Sequence, residues 1–232
     1  DIENCVKEHM KIMDKYDPKK HVALIVDEWG TWWDEEPGTV RGHLYQQNTM
    51  RDAFVAALSF NVFHKYTDRV KMANIAQIAN VLQSMILTKE DKMVLTPSYY
   101  VFQMYNVHQD AVHLPLEVNC ENRQVRARMG RDGDERTLPM LGATASRAKD
   151  GTVHVSLSNV DLENKNEVSV DLAQLGVKSV SGKILTCKNI TDKNTFEHPD
   201  AVKPTEFKGA KVSKGKLVVK MPPMSIVTLE LK

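Results

Sequence analysis

The sequence has little of what most readily assigns a chain to a class. Its three cysteines, Cys5, Cys120 and Cys187, are too few and too scattered for a disulfide framework or a paired Cys-x-x-Cys metal site, and read as ordinary buried or free thiols. No apolar run approaches the roughly 18 to 20 residues that cross a bilayer, so no membrane segment is expected. Charge of one sign is not in excess, with 31 Lys and Arg against 30 Asp and Glu. No basic stripe with interleaved aromatics stands out either, so no nucleic-acid partner is expected. The eight histidines, His108 and His113 among them, lack metal-ligand spacing such as His-Glu-x-x-His. Asp132-Gly133-Asp134 lacks the spaced ligands and terminal Glu of a calcium loop and reads as a turn. Neither a metal nor a cofactor is expected. The chain opens at Asp1 without an initiator Met or a signal-like apolar stretch, which implies a native N-terminus upstream and leaves the compartment open. Asn189-Ile190-Thr191 fits a glycosylation acceptor, a pattern short enough to recur by chance.

What is present is an ordinary globular composition, 42% hydrophobic and 26% charged over 232 residues, with room for two modest domains. Val6, Met10 and Met13 recur at helical spacing over Glu3 to Tyr16, and Asp17-Pro18 ends that helix. Val22-Ala23-Leu24-Ile25-Val26 reads as a strand buried on both faces of a parallel sheet. Thr49 with Asp52 three residues on starts a second helix, with Phe54, Val55, Leu58 and Val62 as its apolar stripe. Arg69 to Ala76 is a candidate strand, a helix could begin from Gln77 onward, and Thr96-Pro97 opens another. Beyond residues 109–116 the period changes to two: Val153, Val155 and Leu157, then Val227, Leu229 and Leu231, with turns at Lys149-Asp150-Gly151 and Lys214-Gly215. The expected fold is α/β plus all-β: the C-terminal part of a (β/α)8 barrel over residues 1–110, followed by an antiparallel β-sandwich over 111–232.

Chemistry concentrates in Ile25-Val26-Asp27-Glu28-Trp29-Gly30-Thr31-Trp32-Trp33. An acid at the C-terminal end of a barrel strand faces the active-site mouth, and either Asp27 or Glu28 fits. While the strand stays regular, the two cannot both face one substrate. The plainer alternative is a strand that simply ends in solvent. Trp29, Trp32 and Trp33 are the chain's only tryptophans, and their flat faces suit stacking on sugar rings; at least one is expected to pack on the barrel rim instead.

Leu24-Ile25-Val26-Asp27-Glu28-Trp29-Gly30-Thr31-Trp32 resembles the nucleophile motif of glycoside hydrolase family 51. Tyr45-Gln46-Gln47-Asn48-Thr49-Met50-Arg51-Asp52-Ala53, Met72 to Gln77, Asn80 to Gln83 and Met93 to Tyr99 are similar to that family's barrel segments. Asn194-Thr195-Phe196-Glu197 and Pro222-Pro223-Met224-Ser225 resemble its C-terminal sandwich. The resemblance implies a retaining α-L-arabinofuranosidase acting on arabinan or arabinoxylan, with Glu28 as nucleophile, Trp32 at the sugar or leaving-group subsite and Gln83 hydrogen-bonded to bound arabinose. Gln83 could equally be a buried polar residue satisfying backbone groups.

The family takes its acid/base from an Asn-Glu pair after an earlier strand. The only such dipeptide here, Asn166-Glu167, falls in the sandwich as a surface turn and is given no catalytic role. Asp34, Glu35 and Glu36, followed by Pro37-Gly38, read as a solvated turn. The chain alone is therefore expected to be inactive. Its expected partners are an arabinose-containing saccharide and either the N-terminal part of the same protein or a second copy. The alternatives are a carbohydrate-binding or structural sandwich without catalysis, and a related β-xylosidase or endoglucanase.

Overall fold

The computed structural model describes residues 2–129, 132–172 and 175–232. Helix α1 (Ile2–Tyr16) buries Val6 and Met10 and ends where Asp17-Pro18 demands. Arg69, with a wholly buried side chain, ties down the turn that follows. Its guanidinium donates to the carboxylates of Asp14 and Asp17 and to the carbonyl oxygens of Asp17 and Val22. Strand β1 (Leu24–Trp29) then runs parallel to β2 (Val70–Ile75), with helix α2 (Met50–Lys65) crossing between them. The strand starts two residues later than the apolar run suggests and is covered on one side only: Leu24 and Val26 pack against the helices, while Ile25 is 43% exposed.

No helix begins at Gln77. Asn80 and Leu82 both adopt positive φ, a left-handed conformation that breaks helical continuity. The chain instead enters the hairpin β3 (Ile86–Lys89) and β4 (Lys92–Leu95). Helix α3 (Pro97–Tyr105) starts as Thr96-Pro97 suggests: Pro97 needs no amide partner, and Thr96 Oγ1 accepts from the Tyr99 N–H. A 3-10 turn, Asn106–His108, completes this layer.

The remaining strands are antiparallel. They are β5 (Val112–Leu114), β6 (Asn122–Met129), β7 (Asp132–Pro139), β8 (Leu141–Arg147), β9 (Val153–Asn159), β10 (Asn166–Asp171), β11 (Val180–Thr186), β12 (Thr205–Glu206), β13 (Ala210–Ser213), β14 (Lys216–Met221) and β15 (Ser225–Leu231). The larger sheet has the order β12-β11-β15-β9-β8-β5 and faces the smaller sheet β10-β14-β13, while β6 and β7 pair as a separate hairpin. Asp132-Gly133-Asp134, expected as a turn, opens β7. Period two decides which residue faces which layer. Val155, Leu157, Val227, Leu229 and Leu231 meet Leu217 and Val219 in the sandwich core. The opposite face of the larger sheet meets the helices, where Leu185 and Ile226 join the cluster built on Ala53, Ala57, Phe63 and Val101. Helix α2 is thus covered on more than one side: of the expected stripe only Phe54 is buried, with Val55, Leu58 and Val62 half-buried, while Ala53, Ala56, Ala57, Ser59 and Phe63 are buried instead. It approaches β8 so closely that a Cβ on Gly142 would lie 2.5 Å from Leu58 Cδ2.

Part of the helix-to-sheet seam is polar. The His108 ring lies 5.1 Å from that of His64, and its nitrogens meet Ser146 Oγ at 2.7 Å and Ser156 Oγ at 2.8 Å. His64 Nδ1 lies 3.1 Å from Thr144 Oγ1. Burial, followed by neighbouring imidazoles, pushes His64 down to about 4 and His108 down to about 3. Both values lie below the roughly 6.5 of an unfolded histidine, so the unfolded chain takes up protons first as pH falls. Their contribution to stability is therefore fully present above about pH 6.5 and is lost progressively as the pH falls from there towards about 4 and 3. The urea-unfolding free energy should fall by at least about 2 kcal/mol between pH 7 and 4.5, and by less in a His108→Gln variant. A fall of the same size in that variant would remove His108 as a cause. Separately, Arg69→Ala should cost about 3 kcal/mol by the same measurement, because it strands Asp14 and Asp17 and opens the turn. A loss under about 1 kcal/mol would mean that the turn is held by other contacts.

Candidate active site

β1 carries Asp27 and Glu28 at its C-terminal end. Val26 pairs with Ala73 and Trp29 with Ile75, so three residue steps on β1 oppose two on β2 and the strand carries an irregularity across Asp27-Glu28. In a regular strand Glu28 would share the helix side with Leu24 and Val26. The extra residue resets the alternation: Leu24, Val26 and Trp29 all pack on the helix side, and Asp27 and Glu28 are both exposed. The restriction that only one carboxylate can face a substrate assumed regularity, and the bulge lifts it. No hydrogen bond or ion pair engages either carboxylate among the described residues.

The three tryptophans separate by role. Trp29, 5% exposed, is a core residue: its ring lies 5.7 Å from Phe60 and 5.4 Å from Phe63, both edge-on, and is stacked 6.1 Å from Phe102. Burial of that size is worth several kcal/mol, enough to anchor the strand end beside Glu28. Trp33 is held at three points: its Nε1–H donates to Asp52 Oδ1 at 2.6 Å, its backbone N–H donates to Gln46 Oε1 at 2.8 Å, and the Arg51 guanidinium sits 3.5 Å over its ring. Trp32, between two anchored neighbours, is 70% exposed and its ring is free of partners among the described residues.

Gln83 is fully buried, and both ends of its amide face backbone. Oε1 accepts the Thr31 N–H at 2.7 Å and Nε2 donates to the Asp52 carbonyl oxygen at 3.1 Å. Gly30 is needed here: its φ is +146°, and a Cβ would meet Gln83 Oε1 at 2.6 Å. This arrangement gives Gln83 the role of shaping the turn after Glu28.

Asp52 is the residue whose full part the sequence conceals. The Thr49 and Asp52 spacing reads as a helix start, and the capping is present, with Asp52 Oδ2 accepting from Thr49 N at 2.7 Å and Thr49 Oγ1 at 3.1 Å. The same wholly buried carboxylate also accepts, on Oδ1, from Thr31 Oγ1 at 2.8 Å and from the Trp33 indole. The acidic loop is more ordered than a solvated turn. Glu35 Oε1 accepts the amides of Gly42 and Leu44, each at 2.8 Å, and Glu36 pairs with Lys193 at 3.3 Å. Lys193 lies on a loop of the all-β part that also caps α2, where the carbonyls of Asp192 and Ile190 accept from Met50 N and Arg51 N, both at 2.9 Å. Asn189 of the glycosylation pattern is exposed on that loop. Asn166-Glu167 opens β10 rather than forming a turn, and Glu167 lies 3.5 Å from Lys220 on β14. Among the described residues no group of three or more His, Cys, Asp or Glu is placed to hold a metal, and no helix is long and apolar enough to cross a membrane.

A family model of the α-L-arabinofuranosidase C-terminal domain matches residues 27–225, from the bulge of β1 to the start of β15. An intracellular exo-α-L-arabinofuranosidase of Bacteroides ovatus is 60% identical over all 232 residues, which make up 44% of that protein. The structure of a family 51 arabinofuranosidase from Xanthomonas axonopodis pv. citri superposes with a TM-score of 0.92 at 47% identity, covering 100% of this chain and 45% of the other. An arabinose complex of the α-L-arabinofuranosidase from Thermotoga maritima shares the fold at 24% identity, with a TM-score of 0.84 over 98% of this chain and 48% of that one. The chain thus spans less than half the length of these relatives. By the extent of the match and the residues it covers, the chain belongs to the α-L-arabinofuranosidase C-terminal domain family, within glycoside hydrolase family 51.

Proposed function

We propose that this chain supplies the nucleophile half of a retaining exo-α-L-arabinofuranosidase, one that removes terminal non-reducing L-arabinofuranosyl residues from arabinan or arabinoxylan. The observation that carries this reading is Glu28, exposed at the bulged end of a parallel strand and unpaired among the described residues, within the segment matched by the family. A carboxylate free of competing hydrogen bonds keeps its nucleophilicity, and its place at the C-terminal end of a barrel strand points it at the substrate side.

In a retaining mechanism Glu28 attacks the anomeric carbon and forms a glycosyl ester. A second carboxyl about 5 to 5.5 Å away protonates the departing oxygen and then activates the water that releases the sugar. Trp32 forms a wall of the sugar or leaving-group subsite, and Gln83 acts on it by holding the turn. The engagement of Glu35 and Glu36 in loop structure argues against either as the second carboxyl. That group is supplied by further polypeptide, which would also cover the bare face of β1 and β2 where Ile25 and Met72 are exposed. We divide the chain at residue 110, barrel segment before and sandwich after, and assign the uncovered face to the N-terminal part of the same protein or to a second copy.

Hydrolysis of an aryl α-L-arabinofuranoside tests this reading. The 232-residue chain alone should give no turnover. The protein extended by its upstream barrel strands should be active and should lose at least about 1,000-fold on Glu28→Ala. Turnover by the chain alone that depends on Glu28 would mean that another carboxylate serves as acid/base. Full activity of Glu28→Ala in the extended protein would remove the nucleophile assignment. In size-exclusion chromatography the chain alone should elute as an associated species, and a clean monomer of 26.2 kDa would show that the bare face needs no cover.

A further inference from the structure

We infer that Asp52 is a positioning residue of the active site, acting through Trp33 to set where Trp32 stands relative to Glu28; the inference rests on the functional reading above. Glu28 and Trp32 both lie on the surface with no hydrogen bond, ion pair or ring contact among the described residues, so no such contact of their own fixes the distance between them. The residues on either side do. Thr31 is held twice, by its hydroxyl on Asp52 Oδ1 and by its backbone N–H on Gln83 Oε1. Trp33 is held by its indole N–H on Asp52 Oδ1, by its backbone N–H on Gln46 Oε1 and by the Arg51 guanidinium over its ring. A residue between two anchored neighbours has little backbone freedom left, so Trp32, 70% exposed, is presented outward in one direction.

Asp52 is the one side chain common to both anchors. It is also fixed to α2 by capping Thr49, so it transfers the rigidity of a packed helix to the loop. Its carboxylate is wholly buried and accepts four hydrogen bonds, two on each oxygen. An ionised carboxylate is acceptor-only, and this site presents donors alone. An asparagine has the same shape but must turn an NH2 towards two of those donors. Ordinary helix capping uses one acceptor oxygen; the second oxygen of Asp52 serves only the loop.

Two measurements on Asp52→Asn test the inference. On the 232-residue chain, NMR of the indole protons should show Trp33 Nε1–H protected from solvent exchange in the parent and exchanging at least about tenfold faster in the variant, whether or not the protein is an arabinofuranosidase. On the extended, active protein, Asp52→Asn should lower kcat/KM on an aryl α-L-arabinofuranoside by about 10- to 100-fold. Adding Trp32→Ala to it should then cost nothing beyond the larger single effect, because both act through one ring. A role confined to stability would leave the two effects multiplying independently. Trp33→Phe, which removes only the indole donor and keeps a ring for Arg51, should show the same dependence on Trp32, and replaces Asp52→Asn if that variant does not fold. Unchanged Trp33 exchange in Asp52→Asn, or independent effects in the activity cycle, would overturn the inference. Loss of all arabinofuranosidase activity in the parent would overturn the functional reading while leaving the exchange result intact.

Discussion

Four hydrogen bonds converge on the buried carboxylate of Asp52, and through them the N-terminus of α2 and the loop after β1 become one rigid piece. A carboxylate with no solvent is tolerated only where donors replace its lost hydration, and here those donors come from residues that need fixed positions. The packing of α2 between the parallel strands and the larger β-sheet prevents that rigid piece from drifting. Gly142, which leaves Leu58 room against β8, is part of the same constraint.

The all-β part therefore helps to hold this piece in place. Its 188–194 loop accepts the first free amides of α2 through the carbonyls of Ile190 and Asp192, and its Lys193 reaches Glu36 across the acidic loop. Asn194 adds a buried link, donating from Nδ2 to the carbonyl oxygens of Leu95 and Val202. The helix receives its capping from two sources, its own Thr49 and Asp52 and the neighbouring β-structure. The loop that presents Trp32 consequently depends on contacts more than 100 residues away in sequence.

That dependence explains how much was legible in the sequence. Elements whose signal is local were readable: α1 from its spacing and Asp17-Pro18, α3 from Thr96-Pro97, β9 and β15 from strict alternation. The β3 and β4 hairpin was hidden because its strands are four residues each and the left-handed Asn80 and Leu82 carry no Gly or Pro to mark them. In the site, Glu28 stood out by its place after an apolar run. The bulge that frees it depends on register with β2, which no window along one strand contains. Asp52 was visible as a capping residue and invisible as an anchor for Trp33, since the second role is a tertiary contact across 19 residues. The tryptophan cluster could be read as a group but not apportioned. Only the ring contacts of Trp29 with Phe60, Phe63 and Phe102 tell the core residue from the exposed one.

Of the two carboxylates that the bulge leaves exposed, Asp27 and Glu28, the proposed nucleophile is Glu28. The most direct measurement is to trap the glycosyl ester in the extended protein with a slowly hydrolysed fluorinated arabinofuranoside, then map the label by peptide mass spectrometry. A single adduct on Glu28 is expected. An adduct on Asp27, or on any carboxylate outside β1, would contradict the assignment.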